Sequence, residues 1–209
     1  MPRGTRSATA PPPGDGRDSV PDASADVTVR RAPAPLSMSL QMPDPRHRAL
    51  LPRHRVSRWL KTALQAPAEI TVRIVGEEEA RTLNRDFRSR DYATNVLTFD
   101  YAREPVVCAD LVLCAPVVER EAALAGRPVE AHYAHLIIHG ALHARGLDHD
   151  TPPRADEMEA LESRLMRGLG LPDPWEEARA DGGHRYTHPP EAVRAAQPGR
   201  SRRAASSAK

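Results

Sequence analysis

Aromatic residues make up only 4% of this 209-residue chain, so its apolar faces are aliphatic. Cysteine is scarcer still: Cys108 and Cys114 are the only two. Their even separation puts both on one face of a single strand, where a disulfide is geometrically disfavoured. They are expected to be free thiols in a reducing compartment, which excludes a disulfide scaffold. No apolar run approaches the length that crosses a bilayer, so a membrane helix is excluded as well. Arg3 and Arg6 are followed by no apolar core, so secretion is not indicated and a cytoplasmic protein is expected. Charge of one sign is also lacking, with 30 Lys and Arg against 28 Asp and Glu. Bulk electrostatics therefore does not dictate a polyanionic partner.

Proline is plentiful, at 21 residues, and unevenly spread. Residues 1–35 include Pro11-Pro12-Pro13-Gly14 and show no hydrophobic period, so they are expected to form a disordered N-terminal tail. Residues 176–209, with Gly182-Gly183, Pro189-Pro190 and scattered arginines, are expected to form a disordered basic C-terminal tail. Between them, residues 36–175 carry the folded domain.

Within that domain Leu36 to Leu40 alternates apolar and polar, as a short strand does. Val56, Trp59, Leu60, Ala63 and Leu64 recur at helical spacing between Pro52 and Pro67, with Arg53, Arg55, Arg58 and Lys61 on a solvated outer face. Ile70 to Val75 is β-branched and reads as a strand. Gly76 leads into Glu77-Glu78-Glu79, an acidic first turn that suits a helix dipole, and this helix should turn Ala80, Leu83 and Phe87 inward. A polar connection, Arg88 to Asn95, precedes strands over Val96–Phe99 and Val106–Cys114, the second interrupted by Asp110. Pro116 opens a helix that Gly126 ends, and Pro128 opens another that runs to about Arg145 with Val129, Leu136, Ile137 and Leu142 inward. A last helix over about Arg154 to Arg167 places Met158, Leu161, Leu165 and Met166 on one stripe. Alternating strands and helices followed by a helical run predict an α+β fold, a small mixed sheet with helices packed on it.

The densest chemistry lies in His139-Gly140-Ala141-Leu142-His143-Ala144-Arg145-Gly146-Leu147-Asp148-His149. Histidines four apart project from one helix face, Gly146 can end that helix in the left-handed conformation, and the turn lets His149 reach the same point. Three imidazoles with a fourth position left to water describe a catalytic zinc site. His132 and His135 continue the stripe toward the helix start, further from the convergence point, and are not read as ligands.

The offsets of His139, His143, Gly146 and His149 match those of a metzincin peptidase, H-E-x-x-H-x-x-G-x-x-H. Position 140 is glycine, however, so the general base of such peptidases is missing. A zinc tripod can also serve phosphodiester hydrolysis, where arginine forks match phosphate oxygens. Arg88 and Arg90 could supply them, and Asp148 could orient a ligand imidazole or accept a proton. Two alternatives stay open: a metallopeptidase, argued from spacing alone, and a non-catalytic factor with a structural metal, which needs a fourth protein ligand.

His139 to His149 resembles the H-G-x-L-H-x-x-G-x-D-H signature of the bacterial YbeY endoribonucleases, rRNA maturation factors, at every fixed position. Leu83 to Phe99 resembles the family's L-N-x-x-[YF]-R-x-x-D-x-x-T-D-V-L-S-F segment. Asp110 to Cys114 resembles its G-D-I-x-I-[CS] strand, and Asp173-Pro174-Trp175 resembles a common ending. Asn95, Thr98 and Ala109 depart from the residues usual there. The resemblance implies a single-strand-specific, zinc-dependent endoribonuclease that matures the 3′ end of small-subunit (16S) rRNA and acts in ribosome quality control. It implies one zinc ion on His139, His143 and His149, and a phosphate role for Arg88. The implied partners are single-stranded RNA, the small ribosomal subunit and its assembly factors, with neither DNA nor membrane among them.

Overall fold

β-branched and aliphatic residues set the middle of the sheet. β2 (Ala68–Val75) and β4 (Val107–Cys114) pair in parallel from Ala68 opposite Val107 to Val75 opposite Cys114. β1 (Leu36–Gln41) adds in parallel to the outer side of β2, and β3 (Val96–Ala102) lies antiparallel on β4. The order is β1-β2-β4-β3, a mixed four-stranded sheet. This is a computed structural model, and it describes residues 35–176. The expected tails, 1–35 and 176–209, thus lie outside the described residues except at their boundary positions.

Six helices accompany the sheet: α1 (Arg46–Leu50), α2 (Arg53–Leu64), α3 (Glu77–Arg88), α4 (Ala115–Leu124), α5 (Val129–Ala144) and α6 (Pro152–Gly168). One face of the sheet carries the larger core, in which Ile70, Val72, Leu111 and Leu113 meet Trp59 and Leu60 of α2 and Leu136, Ile137 and Leu142 of α5. The opposite face holds a smaller cluster of Val75, Ala80, Leu97, Val112, Cys114 and Val117. α5 is the central helix, buried from Ala131 to Leu142 on every side. A helix apolar all round belongs inside, and its three buried histidines are therefore exceptional.

The α+β expectation agrees with this architecture, and three details differ. α1 has no counterpart in the sequence reading: it is one short turn, and Asp44 starts it by accepting from the backbone N–H of Arg46 at 2.9 Å. Phe87 is 45% exposed rather than turned inward, its ring edge-on to Phe99 at 5.1 Å, because the last turn of α3 overhangs the small outer cluster. Asp110 does not interrupt β4. It stays in register opposite Thr71 and Phe99, with its carboxylate on the outer face accepting from the Tyr101 hydroxyl at 2.9 Å. Cys108 and Cys114 are both free, as expected, with Cys114 fully buried and Cys108 half-buried. Burial pushes the Cys114 thiol up.

Candidate metal centre

α5 ends directly below its paired histidines. The N–H of Gly146 donates to His143 O at 2.8 Å and that of Leu147 to Leu142 O at 3.1 Å, and Gly146 takes φ +94°. This closure satisfies terminal carbonyls and reverses the chain. His149 is thereby carried back, its ring centroid 5.5 Å from that of His139 and 5.0 Å from that of His143. One ring nitrogen from each of the three lies within 4.8 Å of the other two. The sequence-predicted trio is brought together.

The tautomers can be argued from the partners. His143 Nδ1 lies 2.9 Å from Leu147 O, and a carbonyl can only accept, so Nδ1 carries the proton. His139 Nδ1 lies 2.7 Å from Glu162 Oε1. Burial alone would raise the Glu162 carboxyl, but the imidazoles of His139 and His135 outweigh it and hold it well below the usual carboxylate range. Glu162 is then an ionised acceptor and His139 Nδ1 a donor. The two Nε2 atoms stand 3.1 Å apart. With both rings neutral each presents a lone pair there, and one cation can take both. Nitrogens bound tetrahedrally at about 2.0–2.1 Å from zinc stand about 3.4 Å apart, so the donor set fits that ion.

Glu162, on α6, is the functional residue that sequence reasoning missed. It is 1% exposed and also accepts from His135 Nε2 at 3.1 Å and from the Trp175 indole at 2.9 Å. A carboxylate fixing the far nitrogen of a ligand imidazole is the usual support of a zinc histidine. A signal existed: Glu162 interrupts the apolar stripe between Met158 and Met166. His135 and His132 do not join the trio. His135 is turned to Glu162, and His132 Nε2 to Glu121 Oε2 at 2.8 Å, an oxygen shared with the Asn95 amide at 2.9 Å.

A cavity of about 320 Å³ opens beside His143 and is lined by Arg88, Thr98, Arg103, Asp148 and Arg154 among others. Arg88, the last residue of α3, donates from Nη2 to Thr98 O at 3.1 Å. Arg90 is brought instead to the Tyr92 hydroxyl, at 2.9 Å. Of the three aspartates on the cavity wall, Asp100 pairs with Arg103 at 2.9 Å and Asp150 with Arg154 at 2.7 Å. Asp148 has no arginine partner among the described residues, and its Oδ1 accepts from the backbone N–H of His149 at 2.8 Å. Glu162 orients the His139 imidazole and Leu147 O that of His143. Arg103 and Arg154 were also not foreseen. Arg103 sits so close to Gly146 that a Cβ there would stand 2.6 Å from its Nη1, a juxtaposition that only the β3–β4 pairing creates.

Position 140 bears on the peptidase alternative. A Cβ on Gly140 would stand 2.9 Å from Leu111 Cδ2 and 3.0 Å from Thr98 Oγ1, so the stem of a glutamate has no room. The structural-metal alternative needs a fourth protein ligand, and the potential ligand group among the described residues has three members. No described helix is long and apolar enough to cross a membrane.

Comparisons with known proteins give the family. The family described as Endoribonuclease YbeY matches residues 47–170. A protein named Endoribonuclease YbeY from Methylibium petroleiphilum is 64% identical over 140 residues, which cover 67% of this chain and 94% of that one. One of the same name from Polaromonas naphthalenivorans is 60% identical over 145 residues, covering 67% and 96%. The solution structure of TM1509 from Thermotoga maritima aligns at 22% identity with a TM-score of 0.43, covering 76% of this chain and 99% of its own. With more than half its length matched and relatives this similar, the chain belongs to the YbeY endoribonuclease family.

Proposed function

We propose that this protein is a single-strand-specific, metal-dependent endoribonuclease that matures the 3′ end of small-subunit rRNA and acts in ribosome quality control in the cytoplasm. His139, His143 and His149 hold one zinc ion. The observation that carries this reading is the pair of Nε2 atoms 3.1 Å apart with a third imidazole beside them. A zinc ion on such a tripod supplies Lewis acidity, which makes water acidic enough to act as a nucleophile near pH 7.

The chain's own residues do the rest. Arg88, anchored on Thr98 O at the cavity wall, binds the scissile phosphate and offsets the charge that builds on its oxygens. Asp148 holds the His149 segment through Oδ1 and, unlike Asp100 and Asp150, has no arginine partner among the described residues. It is the proton acceptor of the cleft. An unpaired strand can lay its phosphates past Arg88, Arg103 and Arg154. The family's description as an endoribonuclease supports RNA as the substrate, here single-stranded, with the small ribosomal subunit and its assembly factors as the setting.

The test joins metal analysis to cleavage of a single-stranded RNA. Purified protein should hold about one zinc ion and cut the RNA, and a chelator should stop it. H143A should lose metal and cleavage together. Cleavage at the full rate by metal-free H143A protein would refute the reading.

A further inference from the structure

We infer that Trp175 is a positioning residue for the metal centre: its indole N–H, donating to Glu162 Oε2, fixes the carboxylate that in turn aims His139 at the cation. The inference rests on the three imidazoles holding a metal.

The geometry is a short relay. Glu162 divides its two oxygens, Oε1 to His139 Nδ1 at 2.7 Å and Oε2 to both His135 Nε2 at 3.1 Å and Trp175 Nε1 at 2.9 Å. The Trp175 ring also stands edge-on to His135, centroids 5.5 Å apart at 87°. Trp175 is 4% exposed. It is held there by a separate set of bonds. Asp173 Oδ1 accepts from the backbone N–H of Trp175 at 2.9 Å and from Ser163 Oγ at 2.8 Å, and Arg167 lies 3.5 Å from the other oxygen. Ser163 is the neighbour of Glu162 on α6, so the clasp returns to the same turn of helix that carries the carboxylate.

A buried carboxylate keeps one orientation only while its donors hold it. Removing the indole N–H leaves Oε2 with His135 alone. The carboxylate can then rotate or admit water, and either motion loosens its grip on His139 Nδ1. The tautomer and aim of Nε2 are set by that grip, and comparable supporting groups change metal affinity about 10- to 100-fold.

The experiment uses the full chain and its only two tryptophans, Trp59 and Trp175. Zinc affinity is measured by competition with a chromophoric chelator, beside the melting temperature of each metal-free protein. W175F keeps a ring against His135 but lacks the N–H, and its zinc affinity should fall about 10- to 100-fold. W59F truncates a buried core residue of α2, and should lower the melting temperature while leaving zinc affinity unchanged. In W59F, Trp175 is the sole tryptophan, so zinc should shift its emission. Unchanged zinc affinity in W175F, or an equal loss in W59F, would overturn the inference. If W175F does not fold, the W59F emission decides, and a spectrum indifferent to zinc overturns it. A wild-type chain that takes up no zinc would bring down the metal reading itself and this inference with it. Zinc-binding wild type with an unaltered W175F overturns this inference alone.

Discussion

Gly140 lies where α5 presses on β3 and β4, directly after the first metal-facing histidine. The space a side chain would use there is filled by Leu111 and by the buried Thr98 hydroxyl, which has no hydrogen-bond partner among the described residues. Both neighbours are buried side chains, so they give way only by pressing on the packed core around them. G140A should therefore lower unfolding free energy by about 1–3 kcal/mol through overpacking, despite alanine's better helix propensity. Urea melts of the two proteins measure this. G140E, which restores the glutamate of a zinc peptidase in sequence, should be less stable still and should hydrolyse no peptide. A G140E protein that melts like wild type and cuts casein would mean that the pocket is roomier than these distances allow.

Elements position the site through their ends. α2 and α5 are joined where Arg145, just past α5, donates from Nη1 to Ala63 O at 2.7 Å, so a cation closes the carboxyl end of α2. That bond offsets unsatisfied carbonyls and complements the helix dipole. R145A should destabilise the fold by about 1–2 kcal/mol, read from the urea midpoint, and an unchanged midpoint would show that water replaces the guanidinium without loss. Elements of this kind were legible in the sequence wherever a period and a stop signal coincided. α2 lies between two prolines with five apolar residues at helical spacing, and α5 runs from Pro128 to the Gly146 turn. The histidine trio was legible for the same reason, since spacing of four and a glycine fix the geometry locally. What could not be read depends on distant pairing. Arg103 meets Gly146 only because β3 folds back on β4, and Glu162 meets His139 across 23 residues of chain. α1 was missed because one turn offers no period to detect, and Phe87 because a helical stripe does not reveal how far the sheet beneath it extends.

Across the whole molecule, the candidate centre ties together parts that the apolar core leaves separate. His139 and His143 belong to α5, His149 to the turn after it, and Glu162 with its clasp to α6. The sheet contributes no ligand to the trio. A cation bound to the folded state and not to the unfolded chain adds RT ln(1 + [L]/Kd), about 2.7 kcal/mol when zinc is present at about 100 times Kd. For a domain of this size that corresponds to roughly 5–10 °C in Tm. Chelator should therefore lower the Tm of wild-type protein by about 5–10 °C and leave H143A, which has no complete tripod, where it was. Every opening that releases the cation should feel its loss. The turn from Gly146 to His149 and the length of α6 around Glu162 should exchange faster with chelator. So should the amides of β2 and β4, which are buried in the main core and exchange through global unfolding, by at most the roughly 100-fold that about 2.7 kcal/mol represents. No acceleration anywhere would mean that the imidazoles are held together by the protein alone.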